Sequence, residues 1–380
     1  MKLVYLDNAA TTKIDDEVIE FMYNSMKENF GNPSSTHQFG RLAKAEVETA
    51  RKNIAKHFNV SASEIIFTAG GTEADNLILQ NAVTNLGVQR IITSKIEHHA
   101  VLHTVEFLKN EYSINVDYVA VNHKGQVDLS HLEELLSNSE AKTLVSLMHI
   151  NNEIGTIFPL NDVSTLCKKY DALFHSDTVQ TIGHYKLDLK EIPVDFITAS
   201  AHKFHGPKGV GFAYFKKGFG IKPMLHGGDQ EKGARSSTEN VQSVLGMDKA
   251  LQIAYSNLEK DKEQIQKLKS YFIEGLKSIV EYISFNGTSE EINESTYTIL
   301  NVQFPFTNDF FLFNLDMAGI AVSGGSACQS GSNKGSHVLE EILNETEVNN
   351  TSVRFSFSKF TTKKELDYTL EKIKEILINN

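Results

Sequence analysis

Residues 195–215 read DFITASAHKFHGPKGVGFAYF. Two apolar β-type runs, DFITAS (195–200) and GVGFAYF (209–215), flank a polar turn in which Lys203 stands between His202 and His205. A lysine set at the end of a buried strand loses hydration, its pKa falls, and its amine becomes able to form a Schiff base. Taken alone, a solvated loop lysine is the simpler reading. Runs of the same type recur upstream: EIIFT (64–68), RIITS (90–94), TLVSLMHI (143–150) and ALFHSD (172–177). Between 43 and 58, Ala43, Val47, Ala50, Ile54 and Phe58 return every three or four residues, as on one face of a helix. Strand–helix alternation of this kind predicts an α/β fold with a mainly parallel sheet covered on both sides.

Near residue 250 the pattern changes. Leu251, Leu258, Ile265, Phe272 and Ile279 are spaced by sevens, with Leu268 and Leu276 on the same side. The spacing predicts one amphipathic helix of about 30 residues, long enough to bridge two domains. YTILNVQF (297–304), SVRFSFS (352–358) and a helical pattern at 362–378 follow, which suggests a smaller α+β domain. For 380 residues, a large domain plus a smaller one is the expected arrangement.

The formal net charge is −11 and no basic block occurs, so nucleic acid is not an expected partner. Two cysteines, Cys167 and Cys328, make no disulfide framework and suit a reducing, cytoplasmic setting. The start, MKLVYLDNAATT, has no signal-type apolar core, and no run approaches the roughly 18 apolar residues of a membrane span.

Three further stretches bear on chemistry. In FTAGGTEADN (67–76) a β-run ends at Thr68, two glycines follow, and a helical pattern begins at Thr72. Glycines allow close approach of backbone, and the first N–H groups of a helix attract an anion, so this stretch suits a phosphate. It matches neither standard nucleotide loop, and taken alone an ordinary turn explains it. In ALFHSDTVQ (172–180), Asp177 falls at a strand end, where it can hold a protonated ring nitrogen or simply cap a helix. A lysine and a carboxylate at successive strand ends, with an anion cradle earlier in the chain, form the set that pyridoxal phosphate enzymes use. In SGGSACQSGS (323–332), Cys328 is surrounded by glycine and serine, which suits a thiol that has to be reached. His99 and His103 stand at i, i+4, but no Cys or carboxylate cluster completes a metal set, so no metal is expected. A metal hydrolase is the remote rival, and a catalytically silent binding protein is a third.

Nine stretches occur in order: YLDNAATT (5–12), FGNPSSTH (30–37), FTAGGTEADN, EHHAV (97–101), MHINNEIG (148–155), HSDTVQ (175–180), SAHKFHGPKGVG (200–211), SGGSACQSGS with SHVL, and RFSFSKFTT (354–362). Together, from Tyr5 to about Thr362, the chain resembles the cysteine desulfurases of the housekeeping and nitrogenase-associated type, in the class V aminotransferase family. The resemblance implies an aspartate-aminotransferase-like fold (fold type I). It implies a large pyridoxal phosphate domain, 16–257, and a small domain from both chain ends, 1–15 and 258–380. It also implies a homodimer. The implied reaction splits L-cysteine into L-alanine and sulfur, held as an enzyme persulfide for a sulfur-acceptor protein such as an iron–sulfur scaffold.

By the same resemblance, Lys203 is the Schiff-base lysine, Asp177 meets the pyridinium nitrogen and Gln180 the ring hydroxyl. His98 stacks on the ring and moves protons. Gly71, Thr72, Ser200 and His202 bind the phosphate, with Thr238 from the other subunit, and Asn152 sits beside the cofactor. Arg354 and Asn32 hold the substrate carboxylate, and a guanidinium fork suits that geometry. Cys328 is the nucleophile that takes the sulfur. Cys167, in the helical-looking VSTLCKKY, is expected to be structural.

The pattern departs from relatives in the loop 227–240. Ser237 stands where glycine is usual before the phosphate-binding threonine, and Asp229 and Lys232 replace glycine or histidine and arginine. Housekeeping members carry a longer C-terminal tail that helps to dock a scaffold, so docking of that kind is not expected after Asn380. A selenocysteine lyase on the same fold is the near alternative, whereas a transaminase needs no thiol such as Cys328.

Overall fold

A computed structural model describes residues 2–138, 140–324 and 335–378. The short strand β1 (Val4–Tyr5) is followed by helices α1 (Asp16–Glu28) and α2 (Gln38–His57). Then come β2 (Ile65–Thr68), α3 (Gly71–Thr84), β3 (Arg90–Thr93), α4 (His99–Tyr112), β4 (Asn115–Tyr118), α5 (Leu129–Ser137) and β5 (Thr143–Ser146). The alternation continues through α6 (Leu160–Lys169), β6 (Leu173–Asp177), β7 (Phe196–Ser200) and β8 (Gly211–Phe215). After α7 (Val241–Ser256) and α8 (Leu258–Ile279) come β9 (Ser284–Phe285), β10 (Ile299–Gln303), α9 (Phe311–Met317) and β11 (Ile320–Ala321). The chain closes with α10 (His337–Ile342), β12 (Ser352–Ser356) and α11 (Lys363–Ile378).

The large sheet runs β2-β8-β7-β6-β5-β3-β4, and only β8 is antiparallel to its neighbours. Its central strands are buried on both faces because helices cover both, as the continuous apolar runs predict. On one face the expected stripe of α2, Ala43, Val47, Ala50 and Ile54, packs with residues of α5, α6 and α7. On the other face α3 and α4 supply Leu77, Ile78, Val101 and Val105. A separate apolar cluster joins Val4 and Leu6 from the N-terminus to Ile265, Phe272, Leu300, Phe311, Phe355 and Leu366. There β1 pairs with β11, and β10 lies between β12 and β9.

Two expectations need correction. The helix after 250 is two helices, α7 and α8, broken at Asn257. Both the backbone N–H and the side-chain amide of Asn257 donate to the Ile253 carbonyl, at 3.1 and 3.0 Å, and this closes α7. The break lies where allegiance changes: Leu251 packs under the large sheet, Ile265 and Phe272 in the second cluster. Edge strand β4 has no counterpart among the apolar runs, because its residues NVDY are exposed or half-buried.

The loop with the unusual residues is held by a buried ion pair. Glu231 and Lys232 are left-handed, with φ of 48° and 57°. Glu231 accepts from Arg51 at 2.6 and 2.8 Å and from the Phe67 N–H at 2.9 Å, so its side chain anchors that turn to α2 and β2. Ser237 has φ +119°, a conformation that glycine adopts without cost and a Cβ makes strained. Ser237→Gly is therefore expected to stabilise the fold by about 1 kcal/mol, read as a raised denaturation midpoint. An unchanged or lowered midpoint would show that the serine is not strained.

Candidate active site

At the C-terminal edge of β6 and β7 a cavity of about 340 Å³ opens between the two apolar clusters. Gly71, Thr72, His98, Asn152, Asp177, Gln180, Ser200, His202, Lys203 and Arg354 all line it, drawn from six separate stretches of sequence. Parallel pairing explains the meeting of the central members. Asp177 is the last residue of β6 and pairs with Thr198 on β7. Ser200 ends β7, and a single 3₁₀ turn, Ala201–Lys203, then carries the lysine back to the cavity.

Lys203 Nζ donates to the carbonyls of Ala9 and Ala10, at 2.6 and 2.9 Å. Gln180 Nε2 donates to Ala9 O at 3.0 Å. Asp177 Oδ1 accepts the Val179 N–H at 2.9 Å, with the Thr198 hydroxyl 3.4 Å away. Helix α3 starts at the cavity wall, and its N-cap, Gly70, offers no side chain to its first N–H groups. A Cβ on Gly71 would stand 2.6 Å from Val179 Cγ2, so the backbone approaches here as only glycine permits. A neighbouring cavity of about 730 Å³ shares Ala10, Gly71, Thr72, Ser200 and His202, so these five residues stand between the two.

His98 caps α4 through Nδ1, which accepts the Ala100 N–H at 3.1 Å. Burial lowers its pKa, and the charges of Lys203, His337 and His103 act the same way against Asp177. His202 is held down to about 4 by burial and then by Lys203 and Lys208. Both rings are thus neutral near pH 7. Arg354 is 1% exposed; it donates to the Asn152 carbonyl at 2.8 Å and pairs with Asp7 at 2.9 Å. Its Nε, itself buried, has no acceptor among the described residues.

Asn32 and Thr238 are not brought to this cavity. Asn32 is exposed, with Oδ1 turned to the Ser34 N–H at 2.9 Å. Thr238 lines a different pocket with Arg235, Ser237 and Glu239. Cys328 lies outside the described residues. Cys167 is 2% exposed in α6, and burial pushes its thiol far up, which leaves it inert. His99 and His103 stack ring on ring at 4.9 Å instead of converging, and no group of three or more His, Cys, Asp or Glu among the described residues is placed to hold a metal. Sequence reasoning missed Ala9 and Ala10, which act only through backbone carbonyls, and Asp75, which lines the cavity floor. The quoted stretches YLDNAATT and FTAGGTEADN contain all three, so order of motifs was the available signal.

Known proteins agree with this layout. The aminotransferase class-V model matches residues 4–369. A protein of Dictyoglomus turgidum named cysteine desulfurase IscS is 42% identical over 98% of this chain and 94% of its own. A solved NifS-like protein superposes with a TM-score of 0.91 at 39% identity, covering all of both chains. A structure described as SspA in complex with cysteine gives 0.82 at 29% identity, over 94% of this chain and 100% of that one. Matched from end to end in sequence and in fold, the chain belongs to the class-V aminotransferase family and, within it, to the cysteine desulfurases.

Proposed function

We propose that this protein is a pyridoxal phosphate-dependent cysteine desulfurase. It converts L-cysteine to L-alanine and keeps the sulfur as a persulfide on Cys328 for a sulfur-acceptor protein. The observation that carries the reading is the convergence of Lys203, Asp177 and the uncapped start of α3 on one cavity. The residues present fit the cofactor. The first N–H groups of α3, with Ser200 and His202, would hold the phosphate, and the missing Cβ of Gly71 lets this helix start pack against Val179 at the cavity wall. Asp177 would hold a proton at the ring nitrogen, and Gln180 and Asn152 would orient the ring. Bound pyridoxal phosphate supplies an electron sink that loosens the bonds of the substrate amino acid.

The chain's own groups do the rest. Lys203 Nζ would hold the cofactor and, once the substrate amine has taken its place, would move a proton at the substrate α-carbon. Neutral His98 can take or give a proton at its ring. Arg354, fixed by Asp7 and the Asn152 carbonyl, would offer its guanidinium N–H groups left over from these two bonds to the substrate carboxylate. The Cys328 thiolate attacks the substrate sulfur. As the new S–S bond forms, the C–S bond breaks; its electron pair stays with carbon, which takes a proton to become the methyl of alanine.

Residues 16–257 form the cofactor domain in this reading, and 1–15 with 258–380 the small domain. The protein works in the cytoplasm as a homodimer. An exposed apolar face on α1, α2 and the turn between them, with Ile19, Tyr23, Met26, Phe30, Phe39 and Leu42, supports that dimer. Thr238 would then reach the phosphate of the partner's site.

Lys203→Ala is expected to abolish the visible absorbance that the wild type gains from pyridoxal phosphate. A wild type that stays colourless would sink the whole reading. Cys328→Ser should bind the cofactor and respond spectrally to cysteine yet release no sulfide; normal turnover would remove Cys328 from the mechanism. Asp177→Ala removes a charge-assisted hydrogen bond and should weaken cofactor affinity by about 1.5–3 kcal/mol, so an unchanged Kd would refute the role at the ring nitrogen. Running selenocysteine beside cysteine in the alanine assay separates the desulfurase from a lyase.

A further inference from the structure

Next to Asp177 on the cavity floor lies a second carboxyl to which the proposed chemistry gives no task. Asp75, in the second turn of α3, lines the cavity and is 1% exposed. Its Oδ1 makes no hydrogen bond among the described residues. His175, on β6, is fully buried, and its Nε2 makes none either. These two atoms lie 3.4 Å apart. The other ring nitrogen, Nδ1, is 2.9 Å from Ser146 Oγ at the end of β5. The Thr198 hydroxyl on β7, 3.4 Å from Asp177 Oδ1, also neighbours Asp75, and its one proton can go to only one of the two carboxyls. A polar chain therefore runs Ser146–His175–Asp75–Thr198–Asp177 across three neighbouring strands and α3.

Two carboxylates cannot both stay ionised cheaply in such a space. Burial raises Asp75 well above the usual carboxylate range, and the charges of Asp177 and Glu97 add to it. Burial also holds His175 down to about 3, so its ring is neutral and carries one N–H. With that N–H on Nδ1, facing Ser146, Nε2 is an acceptor in need of a donor. A protonated Asp75 is the donor within reach.

We propose that Asp75 is a positioning residue held as a neutral acid, its O–H donated to His175 Nε2, so that Asp177 carries the charge that meets a cationic ring nitrogen. Only the last part rests on the reading of the cavity as a pyridoxal phosphate site. Were Asp75 ionised, its field would oppose the charge on Asp177, and His175 would have to carry its N–H on Nε2 with Ser146 donating to Nδ1.

The test compares the full-length wild type, Asp75→Asn and Asp75→Ala by infrared spectroscopy, before and after pyridoxal phosphate is added, and then by steady-state kinetics with cysteine. Before the cofactor is added, at neutral pH, the wild type is expected to show a protonated-carboxyl C=O band that is lost in Asp75→Asn. The amide of Asp75→Asn can donate to the same nitrogen, so it should keep cofactor affinity and kcat close to wild type. Asp75→Ala should lose about 10²-fold, in kcat more than in KM, because His175 and the Thr198 hydroxyl beside Asp177 both lose their partner. If Asp75→Ala does not fold, the infrared band and the asparagine variant decide alone. Absence of an Asp75-dependent band, or a collapse of Asp75→Asn comparable to that of Asp75→Ala, would overturn the proposal. Failure of the wild type to bind pyridoxal phosphate would instead refute the function proposed above, and the infrared result would still give the protonation of Asp75.

Discussion

Parallel pairing of β6 with β7, in the register that sets Asp177 opposite Thr198, is the constraint from which the site follows. In a strand, successive side chains alternate between faces, so a slip of one residue would turn Asp177 to the other face of the sheet. The same register brings Ser200, and the turn that carries Lys203, to the edge where β6 ends. Helix α3 arrives at this edge because β2, which feeds it, lies beside β8 and β8 beside β7. A helix start, a carboxylate and a lysine are thus gathered without any long loop reaching across. Crevices at the C-terminal ends of parallel strands are where open α/β sheets hold ligands.

The N-terminal segment closes this arrangement. Asp7 pairs with Arg354, Asn8 donates to the Ser356 carbonyl at 2.8 Å, and Ser356 Oγ accepts the Ala9 N–H at 2.8 Å. Lys203 then takes the Ala9 and Ala10 carbonyls from the other side. One short stretch joins the sheet domain to the second apolar cluster and walls the cavity between them. Burying a guanidinium is costly unless its donors are met. Arg354 donates to the Asn152 carbonyl and to Asp7, while its buried Nε has no acceptor among the described residues.

Period and composition were enough for the central strands, because both faces of each are buried and their residues form continuous apolar runs. They were enough for α2, whose inward face repeats every three or four residues. They failed at β4, an edge strand with little to bury, and at Asn257, where the heptad spacing continues through a break. A spacing of seven shows which residues face inward; it does not say that two different cores receive them. No local pattern marked the backbone conformation at Ser237, which has φ +119°.

Among the site residues, Lys203, Asp177 and the glycines before α3 stood out locally, because each breaks the pattern of an apolar strand at its end. Resemblance added the roles of His98, Gln180, Asn152, Ser200, His202 and Arg354, and the structure places all six at one cavity. Asn32 lies away from it, since its side chain serves a local turn. Asp75 and His175 lie within quoted motifs, yet an aspartate one turn into a helix and a histidine within a strand are ordinary by themselves. Their meaning comes from burial and from a 3.4 Å approach across 100 positions of sequence. Local pattern thus carried the choice of strand and helix and the residues fit for chemistry, because these depend on near neighbours. Assembly of the sheet alone decided which charges meet, because Coulomb energy and desolvation depend on distance in space and not along the chain.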